Sequence, residues 1–269
     1  MNNQPYSEKV IIITGASSGI GRELAHQLAG QGAWLSLAAR DMERLEAVRA
    51  ECEVLGGRSI VIQTDVTRQE QCKAMVQKTV DEFRRVDVLI NNAGITMWGN
   101  FADLTDPKML DAIMQTNYMG SVYCTHYSLP YLKQTRGQIV GISSLTGKTG
   151  VPTRSGYAAS KHAMVGFFDS LRIEIAQSGV SVTMIYPGFV SSKMRYRALA
   201  ADGTPLGRSL VREGDVMPVE ECARLTIKAM AGRKREEVMT LRGKLGQWLK
   251  LIAPGLVDRI AQEAITKGR

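Results

Sequence analysis

Short, wholly apolar runs recur along this chain, separated by stretches whose apolar residues return every three or four positions. The first run, Val10 to Ile13, reads as a strand buried on both faces, as in a parallel sheet. After it, Ile20, Leu24, Ala25, Leu28 and Ala29 share one helical face, and Gly30 and Gly32 end that helix. Trp34 to Ala39 is predicted as a second strand. Asp41 caps the next helix, which turns Met42, Leu45, Val48, Cys52 and Leu55 to one side and stops at Gly56-Gly57. Ser59 to Thr64 is a third strand. Thr67 and Glu70 have capping-box spacing for a helix burying Cys72, Val76, Thr79, Val80 and Phe83. Val86 to Ile90 is a fourth strand. Asp106-Pro107 opens another helix, and a long uncharged stretch containing Asn117 runs to Pro130. Gly137 to Ser144 is a fifth strand, Ser155 to about Ser178 a long helix, and Val180 to Ile185 a sixth strand. A helix carrying Ala223, Ile227 and Met230 and a last strand at Glu237 to Thr240 complete the pattern. Strand and helix alternate without a break, so the expected fold is α/β, a doubly wound parallel sheet with helices on both faces.

No repeat or low-complexity linker divides the chain. Residues 1–242 therefore read as one domain, with 189–217 as a flexible substrate flap and 243–269 as an amphipathic C-terminal tail. Pro254-Gly255 should split that tail into two pieces. At 269 residues and 44% hydrophobic content, the chain can bury a full core. Its four cysteines, at 52, 72, 124 and 222, show no Cys-x-x-Cys spacing. With three histidines in all, no metal site is expected, and the simple reading is reduced thiols in a cytoplasmic protein. The first nine residues lack the apolar core of a signal peptide, and no stretch reads as a membrane span. Charge is uneven. Residues 191–269 hold 16 Lys and Arg against 9 Asp and Glu, the rest of the chain 18 against 17. A basic C-terminal part suits a solubilising surface, an anionic membrane, a phosphorylated substrate or an acidic carrier protein. Nucleic acid is not among the expected partners.

The chemistry gathers around Thr14-Gly-Ala-Ser-Ser-Gly-Ile-Gly21. A strand, a glycine turn and a helix start form the arrangement that holds a dinucleotide pyrophosphate. Free N–H groups and the helix dipole favour the anion, and glycine lets the backbone approach it. Tyr157 and Lys161 lie four apart, so one helical face presents both. Ser143-Ser144 ends the fifth strand, at the sheet edge where ligands of open α/β folds sit.

Together, the glycine turn, Asn91-Asn-Ala-Gly94, Asn117, Ser144, Tyr157-x-x-x-Lys161 and Pro187-Gly188 resemble the short-chain dehydrogenase/reductase family over roughly residues 8–240. The resemblance implies a Rossmann-like single domain and a catalytic tetrad of Asn117, Ser144, Tyr157 and Lys161. Tyr157 would be general acid in reduction and base in oxidation. Lys161 would lower its pKa and hold the nicotinamide ribose, Ser144 would bond the substrate oxygen, and Asn117 would position a water. Gly15, Ser17, Ser18, Gly19, Ile20 and Gly21 would cradle the cofactor, with Asn91, Ala93 and Gly94 beside it. Asp65 and Val66 would meet adenine, Asn91 the adenine ribose, and Pro187, Gly188 and Val190 the nicotinamide. Ser192 stands where many members have Thr.

NAD-specific relatives place an acid at the end of the second strand. Here that position is Ala39, and Arg40 follows, so a guanidinium is available for a 2′-phosphate and NADP(H) is expected over NAD(H). Trp98, Leu145, Val151, Met194, Tyr196 and Leu199 suggest a lipophilic ketone or secondary alcohol, as in the steroid and lipid ketone reductases that the chain resembles. The activity expected is that of an NADPH-dependent carbonyl reductase or alcohol dehydrogenase. The alternatives are a 3-oxoacyl-carrier-protein reductase and a catalytically inactive NADP(H)-sensing protein. The resemblance further implies a homodimer or homotetramer. The tail is read as packing on the protein or resting on a membrane surface.

Overall fold

A computed structural model describes residues 4–211, 214 and 216–267. Seven parallel strands form one sheet in the order β3-β2-β1-β4-β5-β6-β7. They are β1 Val10–Thr14, β2 Trp34–Ala39, β3 Arg58–Gln63, β4 Val88–Asn91, β5 Gln138–Ile142, β6 Ser181–Tyr186 and β7 Glu236–Val238. The connecting helices are α1 Gly19–Ala29, α2 Met42–Val54, α3 Gln69–Phe83, α4 Met109–Met114, α5 Gly120–Thr135, α6 Ser155–Glu174 and α7 Val219–Ala231, followed by α8 Leu241–Ile252 and α9 Pro254–Lys267. β1 shows why the strands read as apolar runs. Ile11 and Ile13 enter the core under α1, α2 and α7, whereas Ile12 enters the one under α3, α5 and α6. All three are fully buried. Chain order reverses between β1 and β4, which opens a crevice at the strands' C-terminal ends.

Several local expectations give way to competing contacts. The Thr67 capping box does not form. The Asp65 carboxylate takes the Thr67 hydroxyl at 2.8 Å, and α3 starts two residues later with no side-chain cap. Asp106 accepts from Lys108 N in a turn, so the next helix begins at Met109 rather than at Pro107. Pro130 does not end its helix. It lies on the exposed face of α5, where water can serve the carbonyl that proline leaves without a donor. Met42 and Leu55, at the ends of α2's apolar stripe, are exposed, and only Leu45, Val48 and Cys52 are buried. Asp41 does cap α2, through Arg44 N at 3.1 Å.

The tail divides as Pro254 dictates, with proline as the first residue of α9. α8 is capped by the Thr240 hydroxyl, and its Lys250 reaches the Lys148 carbonyl at 2.8 Å, tying it to the loop after β5. Leu241, Leu245, Trp248, Leu251 and Ile252 remain exposed. Among the described residues no helix is long and apolar enough to cross a membrane. The 189–217 segment is paired at several points. Val190 bridges Met217, and Leu199 exchanges bonds with Thr96 O and Trp98 N at 2.9 and 2.7 Å. Residues 212, 213 and 215 of that segment lie outside the described residues.

Candidate active site

A cleft of about 680 Å³ follows the sheet edge from Arg40 to Tyr157. At its centre the glycine turn is held from below. Asn92 Nδ2 donates to Thr14 O and Gly15 O at 2.9 and 3.2 Å, and the Thr14 hydroxyl accepts from Asn92 N and Ala93 N. A Cβ on Gly15, at φ +67°, would come within 2.9 Å of Ala93 Cα, so side chains are excluded there. A Cβ on Gly21 would meet Gly15 O at 2.4 Å, which packs α1 hard against its own turn. The first turn of α1 carries no acid, unlike that of α2, and no side-chain cap, unlike α2 and α8. Its donors are thus left to a ligand anion.

Sixteen of the eighteen expected cofactor residues line this cleft: Gly15, Ser17, Ser18, Gly19, Ile20, Arg40, Asp65, Val66, Ala93, Gly94, Tyr157, Lys161, Pro187, Gly188, Val190 and Ser192. Two do not. Gly21 is the packing residue just described. Asn91 is buried and turned to α5, where Nδ2 meets Thr125 Oγ1 at 3.1 Å. Residue parity along β4 explains the exchange, since Asn92 faces the turn when Asn91 faces the helix. Arg44, one helical turn beyond Arg40, also lines the cleft and was missed; its spacing on α2 was the available signal. Thr116, Arg154, Phe189, Ala261 and Ile265 were missed as well. Of the proposed apolar residues, Leu145, Val151 and Met194 face the cleft, and Trp98, Tyr196 and Leu199 stand outside its lining.

At the closed end, Ser144, Tyr157 and Lys161 converge. Ser144 leads a short 3₁₀ turn and accepts from Thr146 N at 3.2 Å. Lys161 is 4% exposed and donates to Ile142 O at 2.8 Å; burial lowers its pKa to about 8. Tyr157 is 8% exposed. Burial raises its pKa, while the Arg154 charge and a hydrogen bond with Ser144 pull it down. Lys161, the expected source of positive charge, stands beside the ring with Nζ 5.8 Å from the Tyr157 centroid, and the Arg154 guanidinium carbon joins it at 5.1 Å. Asn117 sits in a π-helical turn, Gln115–Met119, between α4 and α5. Its amide is fully used: Oδ1 accepts from Ile95 N at 2.8 Å, and Nδ2 donates to Ile95 O and Ser160 Oγ, both at 2.9 Å. It braces the β4 exit against α6 and does not line the cleft.

Residues 9–202 match the family model described as short chain dehydrogenase. The chain belongs to the short chain dehydrogenase family. Its relatives include an 11-beta-hydroxysteroid dehydrogenase-like protein 4A of Arabidopsis thaliana, 38% identical over 250 residues, covering 93% of this chain and 82% of the relative. A dehydrogenase/reductase SDR family protein 7-like of Dictyostelium discoideum is 36% identical over 259 residues, covering 94% and 80%. Among solved structures, an alcohol dehydrogenase of the archaeon Thermococcus sibiricus, complexed with 5-hydroxy-NADP, superposes with a TM-score of 0.74 at 25% identity, covering 86% of this chain and 95% of that one. As a short chain dehydrogenase, the chain is an oxidoreductase that binds a nicotinamide cofactor and acts on small molecules. The uncapped helix start, the glycine cradle and the cations at the far end fit such a dinucleotide.

Proposed function

We propose that this protein is an NADP(H)-preferring carbonyl reductase or alcohol dehydrogenase acting on a lipophilic ketone or secondary alcohol. The observation that carries the reading is one cleft with Ser144, Tyr157 and Lys161 at its closed end and Arg40 with Arg44 at the other. A bound nicotinamide supplies the hydride in reduction. Ser144 holds the carbonyl oxygen where negative charge develops, and Tyr157 delivers the proton to it. Lys161, anchored on Ile142 O, lies 5.8 Å from the Tyr157 ring centroid and faces the cleft floor beside it. Asn117 keeps α6 in register through Ser160, whose hydroxyl also donates to Tyr157 O at 2.8 Å. Leu145, Val151, Phe189, Met194 and Ile265 give the substrate end an apolar wall.

The experiment is NADPH and NADH consumption with a panel of aliphatic, steroidal and acyl-thioester ketones. Turnover of lipophilic ketones with NADPH is expected. Preference for acyl-carrier thioesters would favour a carrier-protein reductase instead, and binding of NADPH with no turnover of any ketone would favour a sensor. The four cysteines are unbonded and buried, which supports a reducing, cytoplasmic setting. We assign a membrane-peripheral role to the exposed apolar residues of α8 in this basic C-terminal part. Leu251→Glu with Ile252→Glu in the full chain should abolish co-sedimentation with phosphatidylserine vesicles. Unchanged sedimentation would leave the tail as a cover on its own domain.

A further inference from the structure

Arg154 holds a charge that the reaction above does not use. The residue is 9% exposed, and its guanidinium carbon lies 4.9 Å from the Trp98 ring, 5.1 Å from Tyr157 and 5.5 Å from Phe189. Nη2 donates to Thr96 Oγ1 at 2.7 Å, Nε is buried without a partner, and among the described residues no carboxylate pairs with it. An unpaired charge in a protein interior is costly, and three ring faces recover only part of that cost. Few groups face Tyr157 with charge. The α4 side and the 189–217 segment contribute Met109, Leu110, Ile113 and Leu199 to its cluster, all apolar. Ser144 brings a hydroxyl from the loop after β5. That leaves Lys161 and Arg154. Lys161 is turned to Ile142 O, and with its pKa near 8 its charge fades as pH rises through that value. Burial lowers the Arg154 pKa as well, but from a far higher ordinary value, so the guanidinium stays ionised where the Lys161 charge fades.

We propose that Arg154 is a positioning residue of the reaction: Trp98, Phe189 and Thr96 clamp its guanidinium against the Tyr157 ring, where it stabilises the phenolate whatever the charge state of Lys161. The inference rests on Tyr157 as proton donor and adds the group that sets its acidity. In alcohol oxidation, where the phenolate is the base, the rate rises with pH as Tyr157 ionises. In the NADP⁺-loaded protein, Arg154→Met should move that limb upward by at least about one pH unit, lowering kcat below it by about tenfold or more. Arg154→Lys should return the limb toward the wild-type position. Arg154→Gln serves if the Met variant does not fold, as thermal melts will show.

A second readout needs no cofactor. With 3,5-difluorotyrosine at position 157, whose phenol ionises well below that of tyrosine, absorbance titration should show the same upward move in Arg154→Met. A uniform loss of kcat with an unmoved limb and an unmoved titration would overturn the proposal. A titration that moves in a protein whose Tyr157→Phe variant still turns over supports the guanidinium's hold on the phenol and counts instead against the proton-donor reading.

Discussion

Replacing Arg40 with Asp is expected to reverse the cofactor preference. Arg40 is exposed at the rim of the cleft, directly after Ala39 closes β2. Among the described residues its guanidinium has no carboxylate partner, whereas Arg44 is held by Asp41 at 3.1 Å. On the proposed NADP(H) reading, Arg40 is the cation expected to take the 2′-phosphate. A hydrogen bond to a charged group contributes about 1.5–3 kcal/mol, and the exposed position argues for the lower end. Its loss alone, in Arg40→Ala, should cost roughly tenfold in kcat/KM for NADPH and little for NADH. A carboxylate there adds repulsion of about 1–2 kcal/mol, softened by salt. Arg40→Asp should thus shift the NADPH:NADH ratio of kcat/KM by roughly a hundredfold. The assay is initial rates with both cofactors on one ketone, at low ionic strength and again in salt, where the wild-type preference should narrow. A ratio that changes less than about threefold in Arg40→Asp would show that Arg40 does not read the phosphate, and Arg44→Ala would then be the variant that carries the effect.

Four further outcomes are expected. Tyr157→Phe keeps the buried ring and removes the acid, so kcat should fall by about 10²–10⁴-fold with NADPH affinity nearly unchanged; retention of more than a hundredth of the activity would rule out the proton-donor role. Gly21→Ala should destabilise by about 1–3 kcal/mol and weaken dinucleotide binding, because its Cβ would press on Gly15 O at 2.4 Å, outweighing alanine's better helix propensity; an unchanged melting temperature would contradict this. Lys161 has a folded pKa near 8, below its unfolded value, so its burial penalty is fully present below pH 8 and is relieved as pH rises toward about 10.5. Lys161→Met should therefore be inactive yet more stable than wild type at pH 7, by up to about 3 kcal/mol, with the gap closing above pH 8 in thermal melts. Light scattering should give a multiple of 29.5 kDa if α5 and α6 pair between copies; the monomer mass at micromolar concentration would count against that.

The sheet was legible because its inner strands, β1, β2, β4, β5 and β6, are buried on both faces and stand out as short, largely apolar runs. β2 matches its apolar run residue for residue, and the other strands shift by one or two positions. Helix ends were less legible because they depend on which donor an oxygen captures. Thr67 could have capped α3 in isolation, but Asp65 is two residues away and already folded back on it. Pro130 misled for a related reason. A proline ends a helix when its orphaned carbonyl is buried, and the rotation that places this one on the solvent side of α5 is set by tertiary packing.

The site divides along the same line. Residues that work through the backbone or through fixed helical spacing, such as Gly15, Ser144, Tyr157 and Lys161, keep their meaning wherever the motif occurs. Residues whose role depends on what lies across the cleft do not. Asn91 and Asn92 are chemically identical, and only the pleat of β4 decides that the second one braces the turn. Arg154 is the sharper case. In the sequence it is one more basic residue three positions before Tyr157, and a surface role is the default for such a residue. Its burial follows from Trp98 on the loop after β4 and Phe189 on the loop after β6, which close over it from segments about 90 residues apart. A charge becomes chemically significant when the fold removes water and counter-ions from around it. That removal is a property of the assembled cleft, to which no single segment of the chain is a guide.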